Sequence, residues 1–309
     1  MAFACTVVDE AARMAERVRR SASTLTKGDR SPVTVADYAV QALVGRRLKD
    51  AFPGEPLVAE EESGALKKAE NTWLLDEVVQ AVGEGSREDV CAWIDAGRAG
   101  AEDRFWTLDP IDGTRGFLRG DQYAVCLALI VSGKVELSVM GCPNLDLEAV
   151  DGHGVLVAAA RGRGCWARRL GGDAWTRLSV SGRTGDLIAL RSFESRHTDE
   201  ARVNEILERL GVRRAPLLMD SQAKYVVLAA GEGDLLLRII PDPEYHEKVW
   251  DQAPGYLAVV EAGGRMTDLD GKELDFGAGR SLSRNHGVLA ANGSILERVV
   301  EAARATRVG

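Results

Sequence analysis

FWTLDPIDGTRGFLRGDQYAVCLAL, residues 105–129, contains the most informative motif of the chain, Asp109-Pro110-Ile111-Asp112-Gly113-Thr114. The apolar run at 105–108 predicts a strand that ends at the first carboxylate of the motif. Proline fixes its own φ and glycine permits a left-handed backbone, so the chain can turn sharply enough to direct both carboxylates and the Ile111 carbonyl to one point. Converging oxygen ligands of this kind suit Mg²⁺. The alternative is an ordinary turn with an aspartate cap, because Asp-Pro and Asp-Gly are common turn pairs.

Three further segments carry carboxylates at places that suit a metal or catalytic site. Glu60-Glu61-Glu62 follows a short apolar run at 56–59, which predicts a second strand ending at acidic residues. Asp251 opens a predicted helix that has Pro254 in its first turn, and Asp37 lies near the start of another helix. Each segment also has an ordinary interpretation. Glu60-Glu61-Glu62 can be a solvated acidic loop, Asp251 an N-cap and Asp37 an exposed helix position.

The periodicity of apolar residues predicts the elements around these segments. Helices are expected at 3–23, 34–50, 198–210, 221–230, 251–261 and 295–305. Single strands are expected at 56–59, 105–108, 187–190, 215–219 and 234–240. Two runs at 123–131 and 135–140, joined by Ser132-Gly133-Lys134, predict a β-hairpin. The glycine-rich stretch at 145–180 predicts more antiparallel strands, with a domain boundary at Asp151-Gly152-His153-Gly154.

The composition indicates a globular chain, long enough for one large domain or two smaller ones, and argues against some classes of partner. The 309 residues are 45% hydrophobic and 28% charged, which predicts a substantial buried core. The net charge of -8 and the scattered basic residues argue against a nucleic-acid partner. Five widely spaced cysteines predict reduced thiols and a cytoplasmic location. Neither a signal peptide nor an apolar run long enough for a membrane span is visible, so no membrane association is expected.

Taken together, these segments resemble one family. The chain resembles the lithium-sensitive, metal-dependent phosphatases related to inositol monophosphatase, and among these the 3'(2'),5'-bisphosphate nucleotidases. The matching segments occur in the expected order and are SPVTVADYAVQ at 31–41, EEES at 60–63, the segment at 105–129, DSQAKY at 220–225 and YHEKVWDQAPGYLAVVEAGG at 245–264. The resemblance implies a layered αβαβα sugar-phosphatase fold. It further implies an N-terminal α+β domain (1–152) with most metal ligands and a C-terminal α/β domain (153–309) with the substrate-binding residues and the last ligand.

The resemblance also implies roles for individual residues. The residues expected to bind two or three Mg²⁺ ions are Glu61, Asp109, Ile111 through its carbonyl, Asp112 and Asp251. Because Glu60 stands where the family often has glycine, Glu61 is taken as the ligand from the alignment to Ser63. Asp37 and Thr114 are expected to orient and activate the attacking water. The residues expected to contact the substrate are Gly113, Thr114, His197, Ser221, Lys224, Arg238 and Asp251.

The implied reaction is hydrolysis of the 3'-phosphate of a small bisphosphorylated molecule, 3'-phosphoadenosine 5'-phosphate, to AMP and phosphate. The sulfated analogue 3'-phosphoadenylyl sulfate is expected as a second substrate and Li⁺ as an inhibitor. Two alternatives stay open at this point. One is an inositol-phosphate phosphatase acting, for example, on inositol 1,4-bisphosphate, and the other is a non-catalytic nucleotide-binding sensor. The sequence does not determine the oligomeric state.

Overall fold

The computed structural model describes residues 1–19, 24–26, 32–193, 198–242 and 244–306. Its helices are α1 Ala2–Arg19, α2 Val35–Ala51, α3 Thr72–Val82, α4 Arg87–Asp95, α5 Thr114–Arg119, α6 Glu200–Arg209, α7 Ala223–Ala229, α8 Val249–Glu261 and α9 Leu296–Ala305. Its strands are β1 Thr24–Thr26, β2 Pro32–Thr34, β3 Leu57–Ala59, β4 Arg104–Asp112, β5 Ala124–Val131, β6 Lys134–Cys142, β7 Val155–Ala160, β8 Gly164–Arg169, β9 Thr176–Leu178, β10 Ala189–Arg191, β11 Leu217–Leu218, β12 Leu235–Arg238, β13 Gly264–Thr267 and β14 Val288–Asn292.

Most strands belong to two sheets. The larger sheet has seven strands in the order β3-β4-β5-β6-β7-β8-β9, and the smaller has five in the order β11-β10-β12-β14-β13. Neighbours in the larger sheet are antiparallel except for β3 and β4, which are parallel. The predicted hairpin is confirmed, since β5 and β6 pair across a two-residue turn in which Ser132 and Gly133 have positive φ angles of 49° and 71°.

Helices and sheets alternate in five layers. Helices α1 to α4 pack on one face of the larger sheet, and α7 and α8 lie between the two sheets. Helices α6 and α9 cover the outer face of the smaller sheet. Each face of each sheet is therefore buried against apolar helix surface, as a stable layered domain requires. The predicted αβαβα architecture is confirmed.

The strand that carries the main motif differs from the prediction. β4 does not end at Asp109 but continues to Asp112, with Asp109 paired to Cys126 and Asp112 paired to Ala124. Three steps along β4 thus correspond to two along β5, which is the count of a β-bulge, and Pro110 has no N–H to contribute to a regular ladder. In a regular strand two residues three apart point to opposite faces. The extra residue removes that difference, so both carboxylates can face the same side.

The predicted domain boundary does not coincide with the change of sheet. The loop at 151–154 joins β6 to β7, which are hydrogen-bonded neighbours in the larger sheet. That sheet continues to Leu178, and the smaller sheet begins at Ala189. Residues on both sides of the loop therefore share one sheet and one core.

Several elements lie where the sequence analysis predicted none, among them α3, α4, β13 and β14. Helix α4 has a readable local signal, because Ser86 and Asp89 form a capping box at its start. Both α3 and α4 bury apolar side chains against α2, including Leu74, Val78 and Ile94. In none of the described ranges is a helix long and apolar enough to cross a membrane. All five cysteines are buried free thiols.

Candidate active site

A cavity of about 300 Å³ lies where the end of β4 meets the starts of α7 and α8. Carboxylates from four separate segments line it, namely Glu60, Asp109, Asp112, Asp220 and Asp251. The cationic side chains in its lining are Arg115, Arg191, Lys224 and Arg238. Apolar and aromatic side chains complete it, including Leu190, Leu236 and Tyr245. The fold therefore gathers most of the predicted site residues around one opening.

Gly113 lets the main motif approach the segment before α7. It has a φ of +84°, a left-handed angle that glycine adopts without strain, and it precedes α5. A Cβ atom at this position would lie 2.9 Å from the Cβ atom of Ser221. Glycine is thus required both by the backbone angle and by the close approach of two segments that are distant in sequence.

The structure brings Asp37 and Thr114 together, and Asp37 is not an exposed helix residue but 1% exposed. In the capping box of α2, the backbone N and Oγ1 of Thr34 donate to Asp37 Oδ2 at 2.7 and 2.6 Å. The other carboxylate oxygen, Oδ1, accepts from Thr114 Oγ1 at 3.4 Å. Thr114 Oγ1 also lies 3.2 Å from the carbonyl oxygen of Ile111. One oxygen of Asp37 therefore anchors its own helix while the other faces the threonine hydroxyl.

The acidic run after β3 differs from the prediction. Glu60 lines the cavity, whereas Glu61 is not among the lining residues and is only 3% exposed. Gln41 on α2 holds the Glu61 backbone, because its Nε2 donates to Glu61 O at 2.6 Å and its Oε1 accepts from Glu61 N at 2.9 Å. Successive side chains of an extended segment point to opposite sides, so a backbone held in this way directs Glu60 into the cavity. The structure groups Glu60, rather than Glu61, with the other carboxylates.

The grouped carboxylates perturb one another strongly. Burial raises the pKa of Asp109 well above its ordinary value, and the charges of Glu60, Asp112 and Asp251 raise it further. Burial also raises the pKa of Asp251 well above the usual range, with Glu247 and Asp112 adding to the effect. Burial raises the pKa of Asp112 as well, although Lys224, the Gln222 amide and Arg238 oppose this. Such mutual repulsion indicates a site built for cations.

The donor set fits divalent metal ions. Oδ1 of Asp109 is buried and, within the part of the chain that the structure describes, has no hydrogen-bond partner. A buried carboxylate oxygen without a partner is costly unless something else, such as a cation, satisfies it. Among the described residues, no group of three His, Cys, Asp or Glu side chains is arranged to hold one metal ion.

The segment before α7 supplies the other side of the cavity. Ser221 has a positive φ of 68°, and the Gln222 backbone N donates to Asp112 Oδ2. The side chain of Gln222 donates to Trp250 O at 2.9 Å and accepts from Gly255 N at 3.0 Å, which joins this segment to α8. Gln222 was not predicted, although it lies inside the segment at 220–225 that carries the family resemblance.

Lys224 and Arg238 form the cationic part of the wall. The Nζ atom of Lys224 donates to Ser221 O at 2.8 Å and to Met219 O at 3.2 Å, and burial lowers the pKa of this lysine to about 8. Arg238 ends β12, and its Nε donates to Glu247. Burial opposes the charge of Arg238, but Glu247 and Asp251 raise its pKa overall. Both cations are half-buried in the cavity lining, so neither is the fully exposed residue that the sequence alone also allowed.

The predicted substrate contact of His197 lies outside the described residues.

Glu247 is a further polar residue that sequence reasoning missed. It is 3% exposed and accepts hydrogen bonds from Arg238 and from Gln252 Nε2, the latter at 2.9 Å. Its location within the quoted segment at 245–264 was the available signal.

Curated relatives are similar along most of their lengths. The 3'(2'),5'-bisphosphate nucleotidase of Schizosaccharomyces pombe is 43% identical over 309 residues, covering 93% of this chain and 88% of that protein. The enzyme of the same name from Oryza sativa is 39% identical, covering 98% of this chain and 92% of that protein. The 3',5'-bisphosphate nucleotidase 2 of Arabidopsis thaliana is 36% identical, covering 98% and 95% respectively.

Solved structures share the fold at lower identity. The IMPase of Thermotoga maritima aligns with a TM-score of 0.68 at 21% identity, covering 99% of this chain and 96% of that chain. A structure described as IMPase/NADP phosphatase complexed with Mg²⁺ and phosphate aligns with a TM-score of 0.66 at 21% identity, covering 96% and 92%. The family model described as inositol monophosphatase family matches residues 1–307. The resemblance inferred from the motifs is confirmed, and the chain belongs to the inositol monophosphatase family.

Proposed function

We propose that the protein is a Mg²⁺-dependent 3'(2'),5'-bisphosphate nucleotidase that converts 3'-phosphoadenosine 5'-phosphate to AMP and phosphate. The observation that carries this proposal is that one cavity is lined both by a group of carboxylates and by the cations Lys224 and Arg238. A substrate with two phosphates matches such a cavity, because one phosphate can bind metal ions held by the carboxylates and the other can contact the half-buried cations. The sulfated analogue 3'-phosphoadenylyl sulfate presents two anionic groups as well, and it is proposed as a second substrate.

The acidic residues of the cavity lining would hold the metal ions. The oxygen donors are the carboxylates of Glu60, Asp109, Asp112 and Asp251 and the carbonyl of Ile111, with Glu60 in the place that sequence comparison assigned to Glu61. Five oxygen-bearing groups, four carboxylates and one carbonyl, suit two or three Mg²⁺ ions, and Li⁺ is proposed to inhibit by competing for these groups. When bound, such ions neutralise phosphate oxygens, lower the pKa of bound water and stabilise the leaving alkoxide. Without cations, these carboxylates would repel a phosphate dianion.

Asp37 and Thr114 are proposed to handle the proton of the attacking water. Thr114 Oγ1 donates to Asp37 Oδ1 at 3.4 Å, which leaves the lone pairs of the hydroxyl oxygen able to accept a proton from water. Asp37 Oδ2 is already engaged by Thr34, so the proton that Thr114 passes on arrives at Oδ1. The geometry thus orients a water held near Thr114 and provides a base connected to it.

Other residues of the cavity lining would select a nucleotide as the substrate. Lys224 and Arg238 are half-buried cations in the cavity lining, and arginine can bind phosphate in a bidentate manner. Leu190, Leu236 and the ring of Tyr245 add apolar surface to the same cavity. A purine base can bury its faces against such surface, whereas the polar ring of an inositol gains little from it. This surface favours the nucleotide over inositol 1,4-bisphosphate.

Phosphate release from 3'-phosphoadenosine 5'-phosphate, inositol 1,4-bisphosphate and inositol 1-phosphate tests the proposal. Each substrate is assayed with Mg²⁺, with EDTA and with Mg²⁺ plus Li⁺. The expected result is Mg²⁺-dependent, Li⁺-sensitive release from the nucleotide, with AMP that retains its 5'-phosphate as the other product. A preference for an inositol phosphate would overturn the nucleotide assignment, and nucleotide binding without release from any substrate would indicate the non-catalytic sensor. A cytoplasmic location is also proposed, to be tested by fractionating the cells that make the protein.

The protonation of Lys224 should limit activity at high pH. Because its pKa in the folded protein is lowered to about 8, the lysine loses its charge as pH rises through that value, and kcat/KM for the nucleotide is expected to fall. Between about pH 8 and the ordinary lysine pKa of roughly 10.4, the unfolded chain binds the extra proton, so this group makes folding more favourable as pH rises. The loss of activity there would therefore not reflect unfolding.

A Lys224→Met variant provides the control for that profile. It should have a low kcat/KM at neutral pH and lack the decline near pH 8. A variant that retains the wild-type decline would show that another group titrates there.

A further inference from the structure

Arg280 contacts two regions of the chain that carry proposed metal ligands. One is the end of β3, which precedes Glu60, and the other is the start of α8, which carries Asp251. Its Nη2 donates to Ala59 O at 2.7 Å, and its Nη1 donates to Gly97 O and Ala99 O, both at 3.1 Å. The guanidinium carbon lies 5.1 Å from the centre of the Trp250 ring. Arg280 is half-buried, and no ion pair to it is found among the described residues. Its interactions are thus directed at backbone carbonyls and one aromatic ring.

Two of these partners directly precede proposed ligands. Ala59 is followed by Glu60, and Trp250 is followed by Asp251. The backbone of Arg280 also joins the start of α8, because its carbonyl accepts from Val249 N at 3.1 Å. One side chain therefore spans the end of β3 in the larger sheet and the first turn of α8, which are about 190 residues apart in sequence.

The other ligand separations already have structural support. Glu60 and Asp109 follow Ala59 and Leu108, which are partners in the parallel pairing of β3 and β4. Asp112 is connected to α8 through Gln222, whose backbone N donates to Asp112 and whose side chain donates to Trp250 O. The remaining separation is the one between Glu60 and Asp251. Among the contacts described above, only those of Arg280 join these two regions directly.

A charged guanidinium suits this task. Each of its hydrogen bonds is charge-assisted, and its planar donors reach three carbonyls at once, which a lysine ammonium on a single pivot does not reproduce. Contact with the indole face adds a cation–π attraction. Ligands held by such supporting contacts bind metal more tightly than ligands left to move, because less freedom is lost on binding.

We propose that Arg280 is a positioning residue that sets the separation of the Glu60 and Asp251 carboxylates and thereby the affinity for divalent cations. The proposal rests on the proposed function, since it takes these two carboxylates as metal ligands. It assigns to Arg280 no contact with substrate or with a reacting atom. Replacing Arg280 is therefore expected to weaken metal binding. Turnover should fall mainly because fewer sites hold metal.

Direct Mn²⁺ binding to the substrate-free protein, followed by the electron paramagnetic resonance signal of free Mn²⁺, tests this role. Arg280→Met is expected to weaken Mn²⁺ binding by about ten- to one-hundredfold. Activity at saturating Mg²⁺ should change much less than the Mg²⁺ concentration that gives half-maximal activity. Arg280→Lys keeps the charge and serves if the methionine variant does not fold; it should also bind Mn²⁺ more weakly, because it cannot hold all three carbonyls.

Arg168→Met is the matched control. Arg168 donates to Arg169 O and Gly172 O at 3.0 and 2.7 Å and lies 5.3 Å from the Trp175 ring, so it makes these kinds of contact away from the cavity, together with an ion pair to Asp9 at 3.7 Å. This variant should lose thermal stability yet bind Mn²⁺ with wild-type affinity. An equal loss of Mn²⁺ affinity in Arg168→Met, or wild-type affinity in a folded Arg280 variant, would overturn the proposal. Failure of the wild-type protein to bind Mn²⁺ would instead overturn the metal site of the proposed function.

Discussion

Asp112→Asn is expected to lower kcat for 3'-phosphoadenosine 5'-phosphate by about 10³-fold or more while the protein stays folded. Asparagine removes one of the grouped negative charges but keeps an oxygen that can accept the hydrogen bond from Gln222 N. Burial raises the pKa of Asp112, which means that the metal-free fold does not favour its charge. Replacing it by a neutral group should therefore leave the melting temperature of metal-free protein unchanged or higher. Steady-state kinetics and thermal unfolding without metal measure the two effects.

Asp268→Asn is the control for a buried aspartate outside the cavity. Asp268 is 1% exposed, and it accepts hydrogen bonds from Asp270 N, Lys272 N and Asn285 Nδ2 at 2.9 to 3.0 Å. Its replacement should lower the free energy of unfolding by about 1–3 kcal/mol, since it weakens hydrogen bonds to a charged acceptor. The remaining folded protein should turn over substrate normally. Full activity of Asp112→Asn would refute the assignment of the site.

Glu60→Gln is expected to lower kcat by about 10²-fold or more and to raise the Mg²⁺ requirement. Glu60 lines the cavity, and its charge contributes to the raised pKa of Asp109, Asp112 and Asp251 alike, which places it near all three. Glutamine preserves the size of the side chain and removes the charge that would bind a cation. Titrations of activity and of Mn²⁺ binding against metal concentration measure the loss.

Glu61→Gln separates this assignment from the one made by sequence comparison. Glu61 is buried beside Gln41 and is absent from the described cavity lining, so its replacement should change stability more than metal affinity. If Glu61→Gln weakened metal binding while Glu60→Gln did not, the ligand would be Glu61 and not Glu60.

Much of the molecule was predictable because its signals are local. The β5–β6 hairpin follows from two apolar runs around Ser132-Gly133, and the helices α2, α8 and α9 from apolar periodicity. The family followed from the order of five motifs, and the similarity of curated relatives at 36–43% identity confirms it. These features depend on residue types and spacings within short segments, which any reader of the sequence can inspect.

The carboxylates at Asp109, Asp112 and Asp251 were likewise found from the sequence, but their arrangement was not. That Asp109 and Asp112 share one side depends on the bulge against β5, and that Lys224 lines the cavity depends on the packing of α7. The choice between Glu60 and Glu61 depends on Gln41, twenty residues earlier, and on Arg280, more than two hundred residues later. The sequence by itself determined which chemical groups are present and which short elements carry them. The tertiary structure decided which way each group faces, because the direction of a side chain in an extended segment is set by hydrogen bonds from partners that only folding brings near.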